Sequence, residues 1–537
     1  MRSVFMLISL MICLGLAFVP TPSTSAHSPR GIRLEPIGTY AAGAFNQGAA
    51  EIVAHDPRTQ RLFTVNGATS KIDVLSINDP SSPTLEFSID VTPWGRQANS
   101  VAVHERVVAA AVEANIKTDN GRVVFFDTAG HFLSSVEVGA LPDMLTFTPD
   151  GKTVVVANEA EPNTSYTVDP EGSVSIIDVG RHGERVTQAD VRTARFNSFN
   201  DDTLDPSIRI YGPGATVAQD LEPEYIAVSH DSDTAWVTLQ ENNAIGVLDI
   251  RRGRFTRLFG LGFKNHLQPG NALDASDRDG PGNTPRINIA NWPVFGMYEP
   301  DAIYSFRDRG QTYLITANEG DLREYDAFLE ERRVSTLNLD PTAFPNAVAL
   351  KTNAQIGRLT VSSASGNPDG DADFDALFVP GTRSFSIWRP SGSQVFDSGD
   401  QLEQITAGAF PTFFNSNNDS NNSFDTRSDN KGPEPEGLTV TELFGRTYAF
   451  IGLERIGGIV VYDISDPQHP RFIQYLNNRN FAGDPVGGTA GDLGPEGLIV
   501  ISANDSPIHK PLLVVANELS GTTTIYKITR AHGDDDD

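Results

Sequence analysis

Cysteine is almost absent from this 537-residue chain; the only one is Cys13. It lies in an apolar run from Val4 to Val19 that follows Arg2 and precedes the small residues Thr24, Ser25 and Ala26. That order predicts a secretory signal, residues 1–26, cleaved near Ala26 and too short and wrongly flanked to span a membrane. An exported chain without Cys13 has no disulfide, thiol nucleophile or iron–sulfur ligand, so its stability must come from core burial, with bound metal as an optional addition, rather than from covalent staples. No later stretch reaches the roughly 18 uninterrupted apolar residues of a membrane span. Basic charge is scarce too: 41 Lys and Arg face 69 Asp and Glu, a net charge of −28 that becomes −29 without Arg2. Such a surface disfavours nucleic acid and anionic membranes. GxSxG, Walker, Rossmann and HExxH motifs are missing, which leaves metal and carboxylates as the means of any catalysis.

What is present is an acidic motif that returns before strand-like runs: LEPEYIAV from Leu221, YEPDAIYS from Tyr298, PEPEGLTV from Pro433 and LGPEGLIV from Leu493. Weaker copies begin at Ala49, Ala98 and Leu141. Each opens a hairpin with turn residues such as Pro149-Asp150-Gly151, and a third strand follows, for example GSVSIIDV from Gly172 or GGIVVYDI from Gly457. Seven such units predict an all-β, seven-bladed β-propeller over residues 27–530, followed by an acidic tail, 531–537. The last unit lacks an outer strand, and Gly31–Ala41 has the pattern to supply it and close the ring. Polar insertions are expected at 181–220, 260–299, 320–383, 409–432 and 466–492. The stretch from Asn415 to Gly432 looks too polar for a core and suited to a loop.

First strands line a propeller's channel, so the acids that open them should converge at one mouth. They are Glu51, Asp143, Glu224, Asp301, Glu436 and Glu496, with Asn99 in the remaining unit. Second strands return to the same face and end in further acids, among them Glu113, Glu159, Glu241, Glu319, Glu454 and Glu518. Hard cations need six to eight oxygens, which such a ring could provide. Acids at strand starts also cap turns or line a wet tunnel; their recurrence in six of seven units favours a metal. Arg323 and Arg455 are the nearby cations expected to offset the charge. A separate run, DGDADFDAL, spaces Asp369, Asp371, Asp373 and Asp375 as in calcium loops. Phe374 replaces the turn glycine, and a solvated acidic turn is the other reading. His55, His104 and His230 are expected at hairpin turns away from the acids, as packing residues.

ITANEGDLREYDAF from Ile315, LDPTAFPNA from Leu339, DGDADFDALFVPGTRSFSIW from Asp369, FDSGDQLEQITA from Phe396, and GPEPEGLTV with YAFIGLERIGGIVVYDIS between Gly432 and Ser465 resemble the choice-of-anchor I family. The resemblance covers nearly all of the exported chain. That family includes mesenchyme-specific cell surface glycoproteins of biomineralising animals and secreted bacterial proteins described as alkaline phosphatase-like. It implies a secreted, calcium-binding propeller, with iron as a possible second metal. Two roles follow: hydrolysis of a small phosphate ester, with Glu319, Arg323 and Arg455 as catalytic candidates, or binding of an extracellular matrix, mineral or partner. A monomer released to the periplasm or medium is expected, because HGDDDD at the end carries no anchor.

Overall fold

The computed structural model describes residues 31–180 and 185–531, so the expected signal segment and nearly all of the acidic tail lie outside the described residues. Second strands such as Thr153–Asn158 and Leu512–Asn517 are runs of β-branched and aliphatic residues, almost wholly buried. Side chains of that shape pack well on a pleated surface covered on both faces. Among the described residues there are seven four-stranded antiparallel sheets. Their innermost strands are Val53–Asp56, Ala98–His104, Pro142–Phe147, Pro223–Val228, Ile303–Asp308, Pro435–Leu443 and Pro495–Ile501, which number the sheets one to seven. Each innermost strand contacts those of the sheets before and after it, and the seventh contacts the first. The sheets therefore form a closed ring, a β-propeller.

Ile32–Ala41 pairs antiparallel with Thr522–Arg530 and becomes the outermost strand of the seventh sheet, as expected. The early and late ends of the chain are thus bound in one sheet, which leaves no unpaired edge inside the ring. Apolar clusters fill the interfaces between neighbouring sheets. Phe63, Val65 and Val74 of the first sheet meet Val108, Ala110 and Phe126 of the second. Between the seventh sheet and the first, Leu512, Val514 and Ile525 meet Leu62 and Leu75.

The insertions differ from expectation in three ways. Segments 181–220 and 466–492 contain the outermost strands Val191–Arg195 and Arg471–Leu476; half-exposed outer strands carry polar residues, which blurs their pattern. Segments 260–299 and 320–383 build a second small core that buries Leu273, Val294, Val334, Leu350, Val361 and Val379. Residues 415–432 are not an open loop, since Asn415, Ser416, Asp425 and Ser428 have no exposed surface. Hydrogen bonds offset part of that burial: the Asn415 amide donates to Glu403 and Ser428, and Ser428 Oγ donates to Asp425 at 2.6 Å, while Asn415 Oδ1 and Ser416 Oγ are left without a partner.

Leu34, only 2% exposed, packs with Leu443, Tyr448 and Val461 of the sixth sheet, so the closing strand also seals the interface between the sixth and seventh sheets. Leu34→Ala should lower the unfolding free energy by about 2–5 kcal/mol in urea titrations. An unchanged midpoint would show that the closing strand adds nothing to stability.

Candidate metal centre

Four innermost strands begin with proline and an acid: Pro142-Asp143, Pro223-Glu224, Pro435-Glu436 and Pro495-Glu496. In all four the ladder slips immediately after the proline; Pro142 faces Asn158, but the next pair is Leu145 with Val156. A bulge places one extra residue on the bent strand and re-aims its side chain. Here the bulge includes the acid. These acids act on one another: after burial, Glu224 feels the charges of Glu241, Glu159, Asp301 and Asp143, and Glu496 those of Glu518, Glu51, Asp301 and Asp143. Gly437 and Gly497 make this approach possible. A Cβ on Gly437 would strike the Glu496 carbonyl, and one on Gly497 the Glu51 carbonyl, which accepts the Gly497 N–H at 3.1 Å.

The two acids of each Glu-Pro-acid motif have opposite fates, a division that spacing alone did not reveal. The first is buried and ion-paired: Glu222 with Arg323 at 2.9 Å, Glu299 with Arg209 at 2.7 Å, and Glu434 with Arg427 at 2.6 Å and Arg455 at 2.8 Å. The second reaches the mouth. Asn-Glu pairs at the ends of second strands divide in the same way. Asn158 and Asn318 donate to serines of the third strand in their own sheets, while Glu159 and Glu319 join the mouth. Asn99 is also engaged, its amide donating to the Pro142 carbonyl at 3.3 Å.

The mouth acids form two trios rather than one even ring. Glu159, Glu224 and Glu241 each bring an oxygen within 4.8 Å of the others, and so do Glu319, Glu436 and Glu454. Both trios follow one rule: an acid opening an inner strand, an acid after the second strand of that sheet, and an acid after the second strand of the preceding sheet. Gln240, beside Glu241, donates to Glu319 at 3.0 Å and so joins the two. Glu224, Glu241 and Glu454 are 8%, 3% and 6% exposed. The Oε2 atoms of these three, and those of Glu436 and Glu496, are buried without a hydrogen-bond partner.

Burial first, and neighbouring charge second, hold Glu159, Glu224, Asp301, Glu436 and Glu496 well above the usual carboxylate range. Burial pushes Glu51 and Glu454 up to about 8 and Asp143 up to about 6. Burial also raises Glu518. Ile52, Met144 and Tyr225, each next to one of these acids in sequence, line a cavity of about 1060 Å³ together with His55 and His230. Burial of the carboxylates strengthens their repulsion. A divalent ion with oxygen ligands fits this donor set, since it would occupy the unpartnered oxygens and remove the repulsion together.

The expected catalytic residues are differently engaged. Arg323 is 2% exposed and committed to Asp220 and Glu222; its guanidinium is a buried structural charge, and the role of facing a substrate is not open to it. Arg455 keeps a side chain 25% exposed while pairing with Glu434 and Glu454. Glu319 belongs to the second trio and accepts from Lys431 at 2.6 Å, a cation that the sequence reading missed. Of the aspartate run, Asp373 and Asp375 gather with Asp340. Asp369 and Asp371 do not join that group; they accept the backbone N–H of Asp371 and Asp373. This exposed turn contains no buried unpartnered oxygen.

The choice-of-anchor I domain profile matches residues 51–467. Gigasin-3a of Magallana gigas is 30% identical over 194 residues, which cover 34% of this chain and 67% of that protein. The mesenchyme-specific cell surface glycoprotein of Strongylocentrotus purpuratus is 27% identical over 287 residues, 47% of this chain but only 36% of that protein. Among solved structures, streptogramin B lyase superposes with a TM-score of 0.44 at 9% identity, covering 93% of this chain and 98% of that one. The WD40 domain of Toxoplasma gondii coronin gives 0.46 at 9% identity, covering 95% and 89%. Among the described residues no helix is long and apolar enough to cross a membrane.

In chelator the folded protein should hold protons on these carboxylates that the unfolded chain has released. Their stabilising contribution is complete below the unfolded value of about 4 and is lost as pH rises through about 6 for Asp143 and about 8 for Glu51 and Glu454. The melting temperature in EDTA should therefore fall from about pH 5 to about pH 8. A flat or rising profile would mean that the mouth ionises without cost.

Proposed function

Because the chain belongs to the choice-of-anchor I family, we propose that it is an extracellular propeller whose acidic mouth holds calcium and through it binds an anionic matrix or mineral ligand. The observation that carries this reading is the set of five buried carboxylate oxygens without partners, four of them in two trios built by the same rule. Neither trio contains histidine or cysteine, and an all-oxygen set favours calcium over iron. The six trio residues would hold the ions, with Glu51, Asp143, Asp301, Glu496 and Glu518 adding negative charge around them. Bound calcium supplies positive charge at a mouth that otherwise repels anions. The chain's own residues set the geometry: bulges aim the acids that open the inner strands, and Lys431 and Arg455 offset part of the charge. The name of the Strongylocentrotus relative, a cell surface glycoprotein, supports the extracellular placement.

Phosphate-ester hydrolysis is the second reading. The Gln240 link between the trios favours it, because two cations side by side can polarise a phosphoryl group. The engagement of Arg323 weighs against it; Arg455 and Lys431, paired with Glu454 and Glu319, border the second trio.

Calcium at 100 times its dissociation constant should stabilise the fold by about 2.7 kcal/mol per site, seen as a rise in melting temperature that chelation reverses. Glu224→Gln and Glu436→Gln should each remove part of the rise, and the double variant nearly all that belongs to the mouth. No effect of either change on calcium affinity, measured by calorimetry, would refute the mouth as the site. A para-nitrophenyl phosphate assay before and after chelation separates the two readings: calcium-dependent turnover lost in both variants would establish hydrolysis in place of binding alone.

A further inference from the structure

The two trios at the mouth share one rule of construction but not one electrostatic state. In the first, the Oε2 atoms of Glu224 and Glu241 are buried without a partner. Among the described residues no other residue supplies a hydrogen bond or an ion pair to the carboxylates of Glu159, Glu224 or Glu241. The cations whose charge these acids feel are committed elsewhere: Arg323 to Asp220 and Glu222, Arg209 to Glu299, Glu330 and the Glu241 backbone carbonyl, and Lys117 to Glu161. The second trio has cations of its own. Lys431, 9% exposed, donates to Glu319 Oε1 and to the Gly320 carbonyl, both at 2.6 Å, and pairs with Glu434 at 3.2 Å. Gln240 donates to the other oxygen of Glu319 at 3.0 Å, so neither oxygen of that carboxylate is free. Glu454 Oε1 accepts the Asn418 amide at 3.0 Å and pairs with Arg455 at 2.9 Å. Of this trio only Glu436 has no donor among the described residues, and its Oε2 is buried.

We propose that the trios are inequivalent: Glu159, Glu224 and Glu241 hold the first calcium ion, whereas Lys431 is a built-in counter-ion of the second trio, where calcium gains Glu319 only by displacing the Lys431 ammonium. The inference rests on the calcium reading of the mouth and adds to it the order of filling and the residue that sets that order. A carboxylate oxygen that accepts a charge-assisted hydrogen bond must give it up before it binds a metal, and such bonds are worth on the order of 10- to 100-fold in an equilibrium constant. Three acids without a donor carry no such cost, and their mutual repulsion is what the ion relieves. Lys431 does not serve the first trio in the same way, because Glu319, Gly320 and Glu434 take the three donors of its ammonium. The mouth therefore takes one ion at low calcium and a second only as calcium rises.

Calcium titrated calorimetrically into the chelator-treated protein should bind in two steps whose affinities differ by about tenfold or more. Lys431→Met keeps the apolar stem and removes the ammonium. It should strengthen the weaker step by about tenfold or more and change the stronger one far less; a single step in the wild type that becomes two in Lys431→Met supports the inference equally. Glu436→Gln should keep the strong step, and Glu224→Gln should abolish it while keeping the weak one, a comparison that holds even if Lys431→Met folds poorly. Two equal steps in the wild type, a strong step that survives Glu224→Gln, or a weak or absent second step that Lys431→Met leaves unchanged would overturn the inference while leaving the calcium reading intact. Absence of any calcium binding would overturn both.

Discussion

Carboxylates that share a few ångströms of partly dehydrated space repel one another, and every feature at the mouth of this propeller bears on that repulsion. Seven sheets bring strand starts and strand ends to a common axis, while two glycines allow neighbouring backbones to approach closely enough for the acids to meet. Their burial keeps the local dielectric low. Arginines and Lys431 neutralise the first acid of each Glu-Pro-acid motif and part of the second trio, but five oxygens stay buried and unpartnered. Protonation or a cation must relieve what remains.

The bulges connect fold and site. A regular ladder would turn alternate residues toward the two faces of a sheet, and both faces here are packed against neighbours. The slipped register after each proline takes the acid out of that alternation. A small local irregularity, repeated in four sheets, thus moves charge from positions that could not tolerate it to an axis where an ion can. Ring closure by Ile32–Ala41 then holds the geometry, because any opening between sheets would separate trio members drawn from adjacent sheets.

Much of the fold was legible in the sequence because it is local. Hairpin turns, β-branched runs and the recurring Pro-acid signal are set by residues a few positions apart, and the closing strand was legible from its pattern together with the missing last strand. The outer strands at Val191–Arg195 and Arg471–Leu476 were not, since one exposed face admits polar residues. The burial of 415–432 was hidden for a related reason: a polar composition reads as solvent-exposed unless the partners of each side chain are known. At the site, the acids themselves were legible, whereas their grouping was not. Glu319 and Arg323 read as catalytic candidates and Asp369 to Asp375 as one loop; each assignment depended on partners far away in the chain.

By itself the sequence determined the repeating unit, the kind of strand that builds it, the closing strand and a ring of candidate acids, all consequences of short-range spacing. Only the tertiary structure decided which three acids share a site, which arginines are already engaged, and where oxygens are left buried without partners. The physical reason is that spacing inside a repeat follows from hairpin geometry, whereas distances between repeats follow from how closed sheets pack around an axis.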